Sequence, residues 1–324
     1  GGDEFVVLVE DNANPMDAYG LADTIILAIE EAMPLGSEMV SISASVGIAC
    51  TTAETTDHRS MLGDADLALY KAKGDGRGRA CVFTPNLRHA AKTKALVREQ
   101  LANAWKTDAF ELYYQPQVDM TSGALVGAEA LLRWNHPERG AISPALFVPL
   151  AESSGLIDAL TEVTLDLAAS SAATWPDDIV VAVNISPSQL KRGNFDRMVA
   201  RALALSGLPA RRLEIENTEN LFVEHDADLA KAIEALRALG VRFAIDDFGT
   251  GYSNIGYLSH MPIDKIKIDR KFLVGIHEDR RQAGLLRSLL GFVDSLDIAV
   301  VVEGVETDDQ LSFLADCAPS SLCE

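Results

Sequence analysis

Short apolar runs recur through the second two-thirds of this chain, and stretches of helical spacing separate them. The candidate strands are ELYYQ (111–115), LVGAEALLRW (125–134), IVVAVNIS (179–186), RLEIENTE (212–219), VRFAIDDF (241–248), IDKIKID (263–269) and IAVVVEGV (298–305). Between them, LAKAIEALRALG (229–240) and GLLRSLLGFVDSL (284–296) read as helices, the second with Leu285, Leu286, Leu289, Leu290 and Val293 on one stripe. Strands separated by helices imply a parallel sheet, and so many in succession predict a closed α/β barrel.

The first 83 residues follow another pattern. Residues 5–10 read as a strand, DTIILAIEEAM (23–33) as a helix, and VSISASVGIA (40–49) as a half-buried strand with Val40, Ile42, Val46 and Ile48 in phase. DADLALYKAK (64–73) places Ala65, Ala68, Leu69 and Ala72 on one helical face, and ACVF (80–83) closes the unit. TPNLRHAAKTK (84–94) is polar and carries a proline. It predicts a linker over 84–92 between a first domain, 1–83, and a second, 93–324.

Charge narrows the partners. Lys+Arg 28 against Asp+Glu 48 gives a net charge of −20, which argues against a nucleic-acid polymer or an anionic membrane surface. Cys50, Cys81, Cys317 and Cys323 form no zinc-binding spacing. That cysteine usage predicts a reducing, cytoplasmic setting for these domains; no apolar run is of membrane-spanning length and no signal peptide leads the chain. The opening GGDEF reads as the middle of a turn, as if cut from a longer protein whose upstream segments could carry an anchor.

The acids that interrupt the strands fall on a pattern. Glu129 lies in the second candidate strand, Asn184 near the end of the third, and Glu216 near the end of the fourth. Asp246 and Asp247 end the fifth, Lys267 lies near the end of the sixth, and Glu303 near the end of the seventh. A lone charge in a strand is usually solvated. A set at equivalent heights in apolar strands implies one converging site, because each is costly unless paired or metal-bound. Active sites of α/β barrels lie at the carboxyl ends of the strands. Five carboxylates and an amide, without His or Cys, specify hard divalent cations such as Mg²⁺ or Mn²⁺. Adjacent Asp246 and Asp247 could bridge two such ions, as in phosphodiester cleavage. Lys267 would be a fixed positive charge near the water or phosphate.

Over about residues 93–324 the chain resembles the EAL domains, which hydrolyse cyclic di-GMP to linear pGpG. The likeness rests on YYQP (113–116), EALLRW (129–134), HPERG (136–140), NIS (184–186), DDFGTGYS (246–253), KIDR (267–270) and EGVE (303–306), in the family's order. It implies a TIM-like barrel with one metal held by Glu129, Asn184, Glu216 and Asp246, and a second by Asp246, Asp247 and Glu303. Lys267 would orient the hydrolytic water, Glu303 would serve as general base, and Arg133 and Gln115 would contact substrate. FGTGYSN (248–254) matches a mobile loop anchored by the match of Glu219, with Gly249 and Gly251 supplying its bend. Asn217 stands where the family has an apolar residue. At LADCAPSSLCE the family continues into an eighth strand and a final helix, so the last unit reads as missing and Pro319 with its serines as unstructured tail.

Residues 1–83 resemble the second half of a GGDEF domain, the diguanylate cyclases. The remnant of that site is Gly1, Gly2, Asp3 and Glu4 with Lys73 and Arg77, while Gly78 replaces the usual Asn. No cyclase activity is expected of this chain. The resemblance implies a cyclic di-GMP phosphodiesterase that is a homodimer, with GTP as ligand of an intact cyclase domain. A cyclic di-GMP receptor without turnover and a bifunctional cyclase–phosphodiesterase are the alternatives.

Overall fold

Runs such as Val180–Val183 and Val300–Val302 are apolar on both faces, which suits strands covered by helices outside and by other side chains inside. The computed structural model describes residues 2–9, 15–36, 38–51, 57–104, 109–190, 193–219, 227–249, 261–317 and 322–323. It divides into two units, Gly1–Glu99 and Gln100–Glu324.

The first unit contains α1 (Pro15–Glu30), a hairpin of β1 (Met33–Leu35) and β2 (Glu38–Val40), β3 (Val46–Ile48), α2 (His58–Gly74) and β4 (Ala80–Val82). β3 and β4 pair in parallel, with α2 as the crossover. A Cβ on Gly47 would lie 2.1 Å from the Ala65 carbonyl oxygen, so glycine is what lets α2 press onto β3. Asp57 caps α2 by accepting from the Ser60 amide. The expected strand at 5–10 does not form over the described part: Phe5 to Val9 are unpaired and Phe5 is 88% exposed. An apolar run becomes a strand only where a partner satisfies its backbone. The expected strand 40–49 is split, because Ile42 points to solvent and only Val46–Ile48 pairs with β4. Residues 84–92 are not an irregular linker. They open α3 (Pro85–Ala104), inside which the boundary between the units falls.

The second unit is built on a nine-stranded sheet. Its strands are β5 (Phe110–Asp119), β6 (Leu125–His136), β7 (Gly140–Ile142), β8 (Val180–Asn184), β9 (Leu213–Thr218), β10 (Arg242–Phe248), β11 (Lys265–Ile268), β12 (Ala299–Val302) and β13 (Leu322–Cys323). β6, β8, β9, β10, β11 and β12 follow one another in parallel, as expected, and β13, in the stretch expected to be tail, adds to β12 in parallel. β5 departs from the expected parallel order. It runs antiparallel to β6 and to β13, because the turn from Asp119 to Ala124 is too short for a parallel crossover. The ring of pairings returns to β5 through β13, which holds the place of the last unit with two residues only. Pro319 and its neighbouring serines lie outside the described residues.

The helices are α4 (Pro144–Ser154), α5 (Ile157–Ala172), α6 (Pro187–Leu190), α7 (Phe195–Ser206), α8 (Ala227–Ala238), α9 (Arg280–Asp294) and α10 (Asp308–Cys317). Their apolar faces meet the outward side chains of the strands in one core that includes Leu165, Val199, Ile233, Leu286 and Leu290. Of the stripe expected on α9, Leu286, Leu290 and Val293 are buried, whereas Leu285 is exposed. Buried Arg212 ties this layer together. Its Nε donates to the Ile179 carbonyl (2.9 Å) and its Nη2 to those of Ala172 (2.7 Å) and Trp175 (3.4 Å). It thereby satisfies the end of α5 and the entry to β8. Arg212→Met is expected to lower unfolding free energy by about 3 kcal/mol, measured by urea titration, because those buried carbonyls lose their donors.

Candidate active site

Side chains alternate along each strand. On β9, Leu213 and Ile215 join the core under the helices, so Glu214 and Glu216 face the barrel interior. On β11, Ile266 and Ile268 face outward, and Lys265 and Lys267 inward. Register sets the neighbours: Asn184 pairs with Glu216, and Gln115 is opposite Glu129. The stagger of barrel strands then brings Lys265 to Glu214 and Lys267 to Glu216. The interior polar groups stack in two tiers.

The lower tier is Gln117, Glu214 and Lys265, all buried. Lys265 Nζ donates to Glu214 Oε1 (2.6 Å) and to Gln117 Oε1 (3.0 Å). Gly127 makes room for it: a Cβ there would lie 3.1 Å from Gln117 Oε1 and 3.2 Å from the Val180 carbonyl oxygen.

The upper tier gathers around Lys267, whose side chain is fully buried. Its Nζ lies 2.7 Å from Glu129 Oε2, 3.1 Å from Glu216 Oε2, 2.7 Å from Glu303 Oε1 and 3.5 Å from Asp246 Oδ1. Asn184 Nδ2 donates to the other oxygen of Glu129. Burial pushes Glu216 well above the ordinary carboxylate range. Lys267 opposes that rise, and Glu129, Asp246 and Glu214 add to it. Glu303 is pushed up to about 7, first by burial, with Lys267 opposing and Asp246 and Glu129 contributing. Asp247 is raised by burial, by Asp246 and by a hydrogen bond with Asp269.

Asp246 and Asp247 are consecutive, so a regular strand would send them to opposite faces. Here the pairing of β10 with β11 is irregular between Ile245 and Phe248, and Asp247 has φ 54°. The Asp247 amide donates to Asp246 Oδ1 (2.9 Å). Both carboxylates thereby reach one place: oxygens of Asp246, Asp247 and Glu303 all lie within 4.8 Å of one another.

This geometry fits a divalent metal. Four carboxylates share a single ammonium. Glu216 Oε1 is a buried acceptor with no hydrogen-bond partner, which a bound cation would satisfy. Asp246, Asp247 and Glu303 could hold such an ion, as could Glu129, Asn184, Glu216 and Asp246.

Seven of the residues expected from the sequence thus come together: Glu129, Asn184, Glu216, Asp246, Asp247, Lys267 and Glu303. Arg133 and Gln115 lie on the β6–β5 pair beside Glu129. Glu219 Oε2 accepts from the Gly249 amide (2.8 Å), and Gly249 has φ 88° with Phe272 where a Cβ would be. Gly251 and most of the expected loop lie outside the described residues. Asn217 is buried and donates from Nδ2 to the Ile185 carbonyl (2.7 Å), a link to the strand carrying Asn184. In the first unit, Gly2, Asp3, Glu4, Lys73 and Arg77 are all exposed, and Gly1 lies outside the described residues. Glu214, Lys265 and Asp269 were not singled out from the sequence. Each sits two positions from a residue that was, so strand alternation was the available signal.

Comparison with known proteins points the same way. The EAL domain family matches residues 98–321, and the diguanylate cyclase GGDEF domain family matches residues 1–79. The bifunctional diguanylate cyclase/cyclic di-GMP phosphodiesterase MucR of Pseudomonas aeruginosa is 37% identical over 327 residues, covering 99% of this chain and 47% of that protein. The cyclic di-GMP phosphodiesterase NbdA of the same organism is 35% identical over 319 residues, covering 97% of this chain and 41% of NbdA. The chain therefore spans under half the length of these relatives. A solved structure described as the PaMucR phosphodiesterase in complex with c-di-GMP superposes with a TM-score of 0.66 at 35% identity, over 70% of this chain and 94% of the other.

Lys265→Met leaves Glu214 buried without its counter-charge and should cost about 3–5 kcal/mol of stability. Adding Glu214→Leu should restore most of it, as measured by denaturant unfolding of both variants. Without metal, the folded chain retains a proton on Glu303 that the unfolded chain releases above about 4.5. The stability from this group is full below 4.5 and is lost as pH rises through about 7. Thermal melting in the presence of a chelator should accordingly fall across that window, with a shallower slope in Glu303→Gln.

Proposed function

Because the chain belongs to the EAL family, with a GGDEF domain preceding it, we propose that it hydrolyses cyclic di-GMP to linear pGpG. The observation that carries this reading is the convergence of Glu129, Glu216, Asp246 and Glu303 on Lys267 at the carboxyl ends of the strands, with Asp247 beside them. We assign the phosphodiesterase to residues 93–324 and the cyclase-derived unit to 1–83.

EAL phosphodiesterases depend on divalent metal, and we take the ions here to be two Mg²⁺ or Mn²⁺, because every donor is oxygen. Glu129, Asn184, Glu216 and Asp246 would hold the first, and Asp246, Asp247 and Glu303 the second. When bound, such ions offset phosphate charge and lower the pKa of a coordinated water. The chain's own groups supply the rest. Lys267 is a buried cation aimed at the centre of the site, placed to orient the attacking water and to offset charge on the phosphate. Glu303, 2.7 Å from Lys267 Nζ and beside Asp246 and Asp247, is placed to accept the proton of that water. One of the two phosphodiester bonds breaks, the ring opens, and the product leaves with a terminal phosphate. Arg133 and Gln115, on the strand pair beside Glu129, are placed to hold the substrate. The family assignment also carries GTP as ligand of an intact cyclase domain and a homodimer as the assembly.

Purified protein with Mn²⁺ should convert cyclic di-GMP to pGpG, with chromatography following the product. Chelation should abolish turnover, and Glu129→Ala should lower kcat by at least about a hundredfold while the fold, followed by circular dichroism, is kept. Turnover that is unchanged in Glu129→Ala would overturn the assignment.

A further inference from the structure

Tyr113 is a large ring left 57% exposed on the strand pair that carries Glu129. Across β5 and β6, Gln115 is opposite Glu129, Tyr113 opposite Leu131, and Glu111 opposite Arg133. Residues two apart on a strand share a face. Tyr113 therefore lies one step beyond Gln115 on the face of Glu129, toward the carboxyl end of β6. Its neighbours Leu112 and Tyr114 pack on the core under the helices instead.

Arg133 is the diagonal neighbour of Tyr113 across this pair, close enough for long side chains to meet. Its guanidinium carbon lies 5.5 Å from the centroid of the Tyr113 ring, over its face. Its Nη1 also donates to the Leu132 carbonyl (3.0 Å). A guanidinium on a long stem loses rotamer freedom when it takes hold of an anion. A ring face and a carbonyl that hold it beforehand remove part of that loss and set the plane of its fork.

We propose that Tyr113 is a positioning residue for Arg133, holding the guanidinium toward the mouth of the barrel for a phosphate of the cyclic dinucleotide. The inference rests on the cyclic di-GMP reading above. It assigns the work to the ring face and none to the hydroxyl, so phenylalanine can serve and a small side chain cannot.

The test is equilibrium binding of cyclic di-GMP with Mg²⁺ to the full chain carrying Glu303→Gln, which limits consumption of the ligand. Added Tyr113→Ala should weaken binding about tenfold, Tyr113→Phe should stay within about threefold, and Arg133→Ala should weaken it at least as much as Tyr113→Ala. The double variant Tyr113→Ala/Arg133→Ala should bind no more weakly than Arg133→Ala alone, because the ring acts through the guanidinium. Melting temperatures within a degree or two of the parent would accompany these effects, since the ring is exposed. Binding unchanged by Tyr113→Ala, or losses that simply add in the double variant, would overturn the role of Tyr113 while leaving the phosphodiesterase reading in place. A parent that binds no cyclic di-GMP would overturn both.

Discussion

A single ammonium group, that of Lys267, stands among four carboxylates where no solvent reaches it. Charges of one sign cannot be crowded in a low-dielectric interior unless something of the other sign lies among them. Lys267 meets that condition only in part, because one positive charge faces up to four negative ones. Burial first, and then the neighbouring carboxylates, raise the proton affinity of Glu216 and Glu303. The barrel thus holds a cluster that is incomplete by itself, and protons or hard cations complete it.

The fold makes that cluster possible by separating two demands. One face of each strand turns its apolar side chains outward, where helices cover them, and the inner face sets the polar tiers among a few apolar groups such as Val180 and Val301. The lower tier is self-contained: Lys265 is matched by Glu214 and Gln117. It works as a floor, filling the interior beneath the site with a paired lysine and glutamate, so most of the excess negative charge lies in the upper tier. Asn217 belongs to the same support from outside. By binding the Ile185 carbonyl while the Ile185 amide donates to the Glu216 carbonyl, it holds the exit of β8 against β9 just beyond Asn184.

Much of this was legible in the sequence because a charge in an apolar strand is conspicuous. Glu129, Glu216, Lys267 and Glu303 were found that way, and their heights followed from strand ends. Glu214 and Lys265 carry the same signal two positions earlier, below the carboxyl ends where barrel chemistry is expected. Strand direction was not legible: the spacing of β5 looks like that of its neighbours, and only the short turn to β6 distinguishes it. Phe5 to Val9 show the converse, an apolar run with the composition of a strand and no pairing among the described residues. Residues 84–92 were read as linker from polarity and a proline. Yet proline is at home in the first turn of a helix, and Val97, Leu101 and Ala104 repeat at helical spacing along the buried side of α3.

The backbone at Asp247 constrains the family's chemistry in a way that side-chain identity does not reveal. Two neighbouring acids serve one cavity only because the chain takes a left-handed step between them. Aspartate and asparagine tolerate such a step better than most residues, and branched side chains do not. This position therefore carries two requirements, one of charge and one of conformation. Asparagine here would keep the kink and lose the charge, whereas a branched side chain would lose both.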